Sequence, residues 1–426
     1  MAAEPAFYKP RTFMISDILN EPDDEMSLVR FLLYSNQFDV RGLCASTSIS
    51  LQNDTHPEAM ERIIRAYGKV VDNLNFHVGP NYQFPAADKL LALVSSGPKV
   101  YGRKFLSEPL REGAIRLIQS LEESEEPLYV GLWGGANVVA QALHHIDQTK
   151  QKTEADQLRS RLQVYSISDQ DDTGPWIRQR WPTIEYIVSM HGFGEFLAAT
   201  LYPLIKFGME GDSPSFMGLI SNGLSNPEKP EWGGWGGRYN RITWAHDLSA
   251  EYGVSPDTVV APSGKPYMSV QSTVWRWRDA SQDDFAARMQ WTLHQDFSAA
   301  THPPLIDVNG SVGPEALHIM VPPNASITLD ASKTVDLDHP EDIGQLEFEW
   351  FYYLEPGFPQ TTADKKMVEN ESGFGKVILG PKVSVMNLVP EEGDLRSREW
   401  HVILQVKTKK GPYPVTRYKR VVLKAE

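Results

Sequence analysis

For about its first three hundred residues this chain alternates short apolar runs with segments whose apolar residues recur at helical spacing, and then it stops doing so. Thr12–Ile15 reads as a buried strand ending at Asp17, and Leu28, Val29, Leu32 and Leu33 follow on one helical face. Val40–Ala45, Leu128–Trp133, Gln163–Ile167 and Ile184–Val188 read as further strands. Met60, Ile63, Ile64, Tyr67, Val70, Val71 and Leu74 mark one long helix with an apolar face, and Ala136–His145 marks another. Strands separated by helices imply a mainly parallel open sheet covered on both faces, an α/β fold. Ligands of such sheets sit beyond the carboxyl ends of the strands.

The rhythm changes near His302-Pro303-Pro304. Ser326–Leu329, Phe348–Tyr353, His401–Val406 and Tyr418–Leu423 are strand-like runs between turn residues, with no clear helix among them. This pattern predicts a C-terminal all-β, immunoglobulin-like sandwich over residues 312–426, after an α/β domain over 1–311. A length of 426 residues suits two or three domains.

A net charge of −14 argues against a nucleic-acid backbone as partner, since phosphate binding needs a basic face. No apolar run is long enough to span a bilayer. The one cysteine, Cys44, lies in an apolar run and reads as a buried structural thiol. Met1–Pro5 has no apolar signal core, so the chain is either cytoplasmic or secreted with its signal removed, and the Asn-x-Ser/Thr triplets at Asn53, Asn309, Asn324 and Asn370 do not decide between them. A homo-oligomer is left open.

Several clusters could carry chemistry, and each has a plainer reading. Asp17, Asn20, Glu21, Asp23 and Asp24 follow a strand end, where their oxygens could gather on a hard cation; Asp23 and Asp24 could equally cap the helix behind them. Trp133–Asn137 is a tight strand–helix turn whose small residues would let a ligand approach. Ser168–Thr173 carries Asp169, Gln170, Asp171 and Asp172, dense polarity for a mere turn. Asp283 and Asp284 fall at the start of a helical run, as caps or as ligands. Trp232 and Trp235, among glycines, could stack on a sugar ring or pack inward, whereas Trp275 and Trp277 read as core. His144, His145, His191, His246 and His302 show no metal-ligand spacing.

Taken in order, Asp17–Asp24 with Leu28–Ser35, Trp133–Asn137, Ser166–Asp172, Trp235–Tyr239, Asp284–Met289 and the stretch from Trp400 to Val421 resemble the nucleoside-hydrolase-like family known as cellulose-binding proteins, over nearly the whole chain. Through it the chain is similar to nucleoside hydrolases, which hold Ca²⁺ and a ribose at the sheet's edge. Their opening signature is Asp-x-Asp-Pro-Gly-x-Asp-Asp. The resemblance implies Asp24 as a metal ligand, Asp23 as a partner of sugar hydroxyls, Asn137 as the donor of a backbone carbonyl to the metal, and Asp284 as a late aspartate ligand. Two positions depart from the pattern. The second aspartate, both ligand and base, falls on Leu19, so Asp17, Asn20 or Glu21 takes its place. The histidine before the late aspartate is Asp283, a carboxyl suited to protonate a leaving group if burial raises its pKa.

The expected function is hydrolysis of a furanoside, an N-glycoside or another glycoside in an acidic, Ca²⁺-binding pocket. Asp17, Glu21 and Asp283 would do the chemistry, and Asp17, Asp24, Asn137 and Asp284 would hold the metal. Asn20, Asp23, Asp169, Gln170, Asp171, Trp232 and Trp235 would bind the sugar. The alternative is a cellulose- or carbohydrate-binding protein that catalyses nothing.

Overall fold

A computed structural model describes residues 8–189, 210–242, 250–260, 263, 265–322, 325–357, 377–379, 382–389 and 399–425. His191, His246, Asn324, Asn370 and the segment Met1–Pro5 lie outside them. Contacts between Cα atoms divide the chain into two units. One comprises Phe7–Leu219 with Tyr239–Val254; the other includes Ile220–Arg238 and Ser255–Glu426.

The first unit is built on an eight-stranded sheet. Its strands are β1 (Arg11–Ser16), β2 (Asp39–Ala45), β3 (Val94–Ser96), β4 (Leu128–Leu132), β5 (Leu162–Ser166), β6 (Glu185–Val188), β7 (Tyr239–Arg241) and β8 (Glu251–Val254). Their order is β3-β2-β1-β4-β5-β6-β8-β7, parallel throughout except for the β7–β8 pair. Every residue of β1 and β4 is buried, as expected of parallel strands covered on both faces.

Alternation along β1 sends Phe13 and Ile15 to one face, into a core with Leu117 and Leu121 of the helix Glu112–Glu122 and with Val138, Val139 and Leu143 of the helix Asn137–Thr149. Each such buried aliphatic contributes roughly 1.5–3 kcal/mol. On the other face Met14 lies against Gly131, where a Cβ would stand 2.6 Å from its sulfur. Phe31 of the helix Pro22–Leu33 meets Phe216 of the short helix Pro214–Met217 edge-on. The single helix expected over Met60–Leu74 is two, Pro57–Tyr67 and Val71–Phe76, parted after Gly68. Among the described residues no helix is long and apolar enough to cross a membrane.

β1 lies between β2 and β4, so the chain's course across the sheet reverses at this strand. Reversal opens a crevice at the carboxyl edge, between loops that run to opposite faces. The loops after β1, β2, β4 and β5 all end there.

The second unit is antiparallel and β-rich. Leu346–Tyr352 pairs with Trp400–Thr408 and with Val377–Ile378, and Trp400–Thr408 pairs with Thr416–Ala425. Leu317–Val321 joins the outer edge of Thr416–Ala425 in parallel. A two-stranded sheet, Ile327–Asp330 with Val385–Leu388, adds Leu329, Met386 and Leu388 to a core shared with Phe348, Trp350, Val402, Leu404 and Val421. The expected boundary at 312 is not where contacts divide the chain. The helix Arg278–Trp291 belongs to the β-rich unit because it packs on Thr416–Ala425, with Trp277, just before it, ring-to-ring with Tyr418.

Candidate functional site

The turn after β1 is set by Ser16, the strand's last residue. Its hydroxyl donates to Asp24 and accepts from the Ile18 N–H at 3.1 Å. Leu19 takes a φ of +76°, and the Asn20 N–H closes a turn onto the Asp17 carbonyl at 3.2 Å. The chain thus doubles back, and Pro22 opens a helix whose first turn carries Asp23, Asp24 and Glu25. The cap position is Glu21, and its side chain makes no capping hydrogen bond. The backbone N–H groups of Asp23 and Asp24 face the Asp23 carboxylate, which favours its charged form.

Asp23, Asp24 and Asp212 are all buried, and each places a carboxylate oxygen within 4.8 Å of the others. Asp23 Oδ1 and Asp212 Oδ2 have no hydrogen-bond partner. Burial, then the charges of Asp17, Asp23 and Glu21, push the carboxyls of Asp24 and Asp212 well above the usual range. Asp17 is pushed up to about 6 chiefly by burial, against a Ser48 hydrogen bond, and Asp23 likewise to about 6 by burial and Glu21. Like charges in a poorly solvated space either protonate or share a cation. An all-oxygen donor set with orphaned, buried oxygens fits a hard divalent cation, Ca²⁺ or Mg²⁺.

These acids border a cavity of about 200 Å³, lined by Asp17, Asn20, Glu21, Asp23, Asp24, Ile49, Ser50, Trp133, Ser168, Asp169, Gln170 and Asp212. The residue after Trp133 has to be glycine: a Cβ on Gly134 would stand 2.9 Å from Asp17 Cβ and from Ser46 Oγ, and 3.0 Å from the Asp17 nitrogen. Trp133 Nε1 donates to Ser215 Oγ at 2.7 Å, and Ser215 Oγ donates to the Asp212 carbonyl at 2.7 Å. From the β5 loop, the Gln170 amide donates to the Trp133 carbonyl. Asp169 is held by Arg178 through both oxygens, at 2.8 and 2.7 Å.

Of the residues expected at the site, Asp17, Asn20, Glu21, Asp23, Asp24, Asp169 and Gln170 come together around this cavity. Asp171 does not line it. Its Oδ1 accepts from the Thr173 N–H at 2.8 Å and from the Thr173 hydroxyl, so it shapes the β5 loop. The Asn137 side chain donates to Thr47 Oγ1 and the Val100 carbonyl, both at 2.9 Å, tying the β2 and β3 loops together; Asn137 is not among the lining residues.

Asp283, Asp284, Trp232 and Trp235 belong to the other unit, and none lines the cavity. Asp284 is buried between two guanidinium groups, with Arg288 Nε at 3.2 Å from Oδ1 and Arg417 at 2.5 Å from Oδ2. A carboxylate neutralised twice over is a structural ion pair, and the third carboxylate beside Asp23 and Asp24 is Asp212. Asp283 pairs with Lys407 at 3.6 Å. Trp232 and Trp235 are only 2% and 1% exposed, so they cannot serve as a sugar platform. Trp232 lies against His401 and under Arg420, and Trp235 packs on Tyr418. Gly233 and Gly237, at φ +73° and +101°, serve the turn rather than exposing the indoles. Trp277 is core as expected, but Trp275 is 40% exposed. Buried His302 pairs with Asp338 at 2.6 Å.

Asp212, Ile49 and Ser50 were not anticipated. For Asp212 the sequence does hold a signal: Gly211-Asp212-Ser213-Pro214 places a carboxylate just before a helix opened by proline.

The family model for "Cellulose-binding Sde182, nucleoside hydrolase-like domain" matches residues 11–201 and 197–239, and that for "Cellulose-binding protein Sde0182, C-terminal domain" matches 326–425. A solved structure of a nucleoside hydrolase-related hypothetical protein from Saccharophagus degradans, associated with carbohydrate metabolism, shares the fold at a TM-score of 0.78 and 24% identity, over 98% of this chain and 100% of that one. No curated protein matches the chain. With a nucleoside-hydrolase-like α/β fold, a β-rich C-terminal region and family models matching both, the chain belongs to the Sde182 family of cellulose-binding, nucleoside hydrolase-like proteins.

Proposed function

We propose that the cavity binds a divalent cation and one glycosyl ring, and that the chain hydrolyses a glycosidic bond there. The observation that carries this reading is the convergence of Asp23, Asp24 and Asp212 on one buried point with two oxygens unpartnered. In this reading Asp24 and Asp212 are the main ligands and Asp23 is shared with a sugar hydroxyl. A bound Ca²⁺ would offset the mutual repulsion of these carboxylates and act as a Lewis acid towards substrate oxygens. Asp17, pushed up to about 6, is matched to take a proton from an attacking water near neutral pH. Asn20, Asp169 and Gln170 supply further polar groups to orient hydroxyls. A cavity of about 200 Å³ is below the roughly 300–1,000 Å³ of drug-sized pockets and suits a single ring.

A second reading, carbohydrate binding without turnover, is favoured by Leu19, which stands in place of the family's second aspartate and is not among the lining residues. One experiment separates the two. The full chain is titrated by calorimetry with Ca²⁺ and with nucleosides and cell-wall oligosaccharides, and the same sugars are screened for hydrolysis with Ca²⁺ and with EDTA. Cation-dependent turnover supports the enzyme. Sugar binding with no turnover supports the second reading, and absence of both Ca²⁺ and sugar binding removes the two together.

A further inference from the structure

Two aliphatic side chains in the loops around this acidic site stand in water. Ile49 lines the cavity yet is 59% exposed. It sits on a turn fixed from within: the Ser48 N–H donates to the Leu51 carbonyl at 2.9 Å, and Ser48 Oγ accepts from the N–H groups of Ser50 and Leu51 at 3.1 and 3.0 Å. Gln52 Nε2 donates to the Ile49 carbonyl at 3.0 Å. The side chain is therefore presented by a rigid backbone.

Leu19 immediately precedes the lining residue Asn20. It is 42% exposed and holds a φ of +76°, a region that asparagine or glycine would occupy at lower cost. Neither exposure helps the core.

Charge limits what could cover these side chains. Asp17, Glu21, Asp23, Asp24, Asp169 and Asp212 line the cavity, and among the described residues no lysine or arginine does. An anionic group beside the sugar would meet repulsion from six carboxylates that one divalent cation offsets only in part.

We propose that Ile49, with Leu19, forms the rim that recognises the aglycone, so that the site selects glycosides whose leaving group is uncharged and offers an apolar face, and rejects glycosyl phosphates. This rests on the sugar-binding reading above. It assigns the acidic floor to the sugar and the aliphatic rim to whatever the sugar is attached to.

The test uses the full chain with CaCl₂ and matched probes: methyl and phenyl β-D-ribofuranoside, methyl and phenyl β-D-glucopyranoside, and the 1-phosphates of both sugars. Affinities come from calorimetry on wild type, Ile49→Ala and Ile49→Lys. For the sugar that binds, the phenyl glycoside should bind roughly fivefold to tenfold more tightly than the methyl glycoside in wild type, the gain expected from covering part of an aliphatic side chain. That ratio should fall to about 1 in Ile49→Ala. The 1-phosphate should bind only to Ile49→Lys. Equal methyl and phenyl affinities in wild type, or an undiminished ratio in Ile49→Ala, overturn the rim alone. Wild type that binds no methyl or phenyl glycoside overturns the sugar-binding reading, and the rim with it.

Discussion

Trp133 and Asp212 are joined through one hydroxyl: the indole N–H donates to Ser215 Oγ at 2.7 Å, and that oxygen donates to the Asp212 carbonyl at 2.7 Å. The β4 loop thereby positions a carboxylate some eighty residues further along the chain. Trp133→Phe removes the first bond and part of the buried ring volume. Expected are a stability loss of about 2–4 kcal/mol in urea unfolding, from the lost bond and the cavity left behind, and clearly weaker Ca²⁺ binding by calorimetry. Unchanged Ca²⁺ affinity would show that Asp212 does not need this support.

The three-carboxylate cluster and Asp284 should respond in opposite ways. Asp212→Asn removes one of several crowded charges, so the cation-free protein should melt at the same or a higher temperature than wild type, while Ca²⁺ affinity falls at least roughly tenfold. Asp284→Ala strands two buried guanidinium groups and should cost about 3–5 kcal/mol with Ca²⁺ affinity unchanged. Melting curves in EDTA and in CaCl₂ on both variants check the contrast. Lost Ca²⁺ binding in a folded Asp284→Ala would return Asp284 to the metal site.

Gly134→Ala should be poorly tolerated although it adds one methyl group. The new Cβ would press on the Asp17 backbone nitrogen, at 3.0 Å, as well as on side chains. Overpacking of this kind costs about 1–3 kcal/mol. Displacement of Asp17 should also lower any turnover more than it lowers Ca²⁺ affinity. A Gly134→Ala protein with wild-type melting temperature and turnover would mean that the loop yields freely.

His401 gives a pH dependence in the β-rich unit. Burial first, then the neighbouring Arg420, holds its pKa well below the usual value. Arg420 Nη1 lies 2.9 Å from Nδ1, which must therefore accept the hydrogen bond and stay unprotonated. Below about pH 6.5 the unfolded chain binds a proton that the folded chain refuses, so this group's contribution to stability is lost as pH falls, by at most about 1.4 kcal/mol per pH unit. His401→Gln keeps an acceptor for Arg420 and should show a shallower loss between pH 7 and 5 than wild type in urea titrations. Parallel curves would remove His401 as the cause.

The acidic loop was legible because a buried strand, a run of acids and a proline opening a helix fall within fourteen residues, Arg11–Asp24. The remainder of the site depended on pairings that local pattern does not carry. Asp283 and Asp284 read like Asp23 and Asp24 at a helix start, but they stand in the middle of the helix Arg278–Trp291 and not in its first turn. Arg288, one helical turn on, and Arg417, 133 residues along the chain, together decide that Asp284 is neutralised instead of being left to a cation. The Trp-Gly-Gly repeat pointed to exposed indoles because glycine's openness and its left-handed φ look alike in sequence. Asp212 was missed because one aspartate before a short helix has no periodicity to mark it. The helix Arg278–Trp291 likewise reads like those of the parallel sheet but packs on a strand near the end of the chain.

Because β1 gains its neighbours from β2 on one side and β4 on the other, the cavity has no precursor in any single stretch of chain. A growing polypeptide that has made Asp23 and Asp24 still lacks the third carboxylate until Asp212 has been synthesised and the Trp133–Ser215 bridge has formed. The parts of the site thus arrive in sequence but become a site all at once, and occupancy of the cavity would report that the sheet has been assembled in its native order.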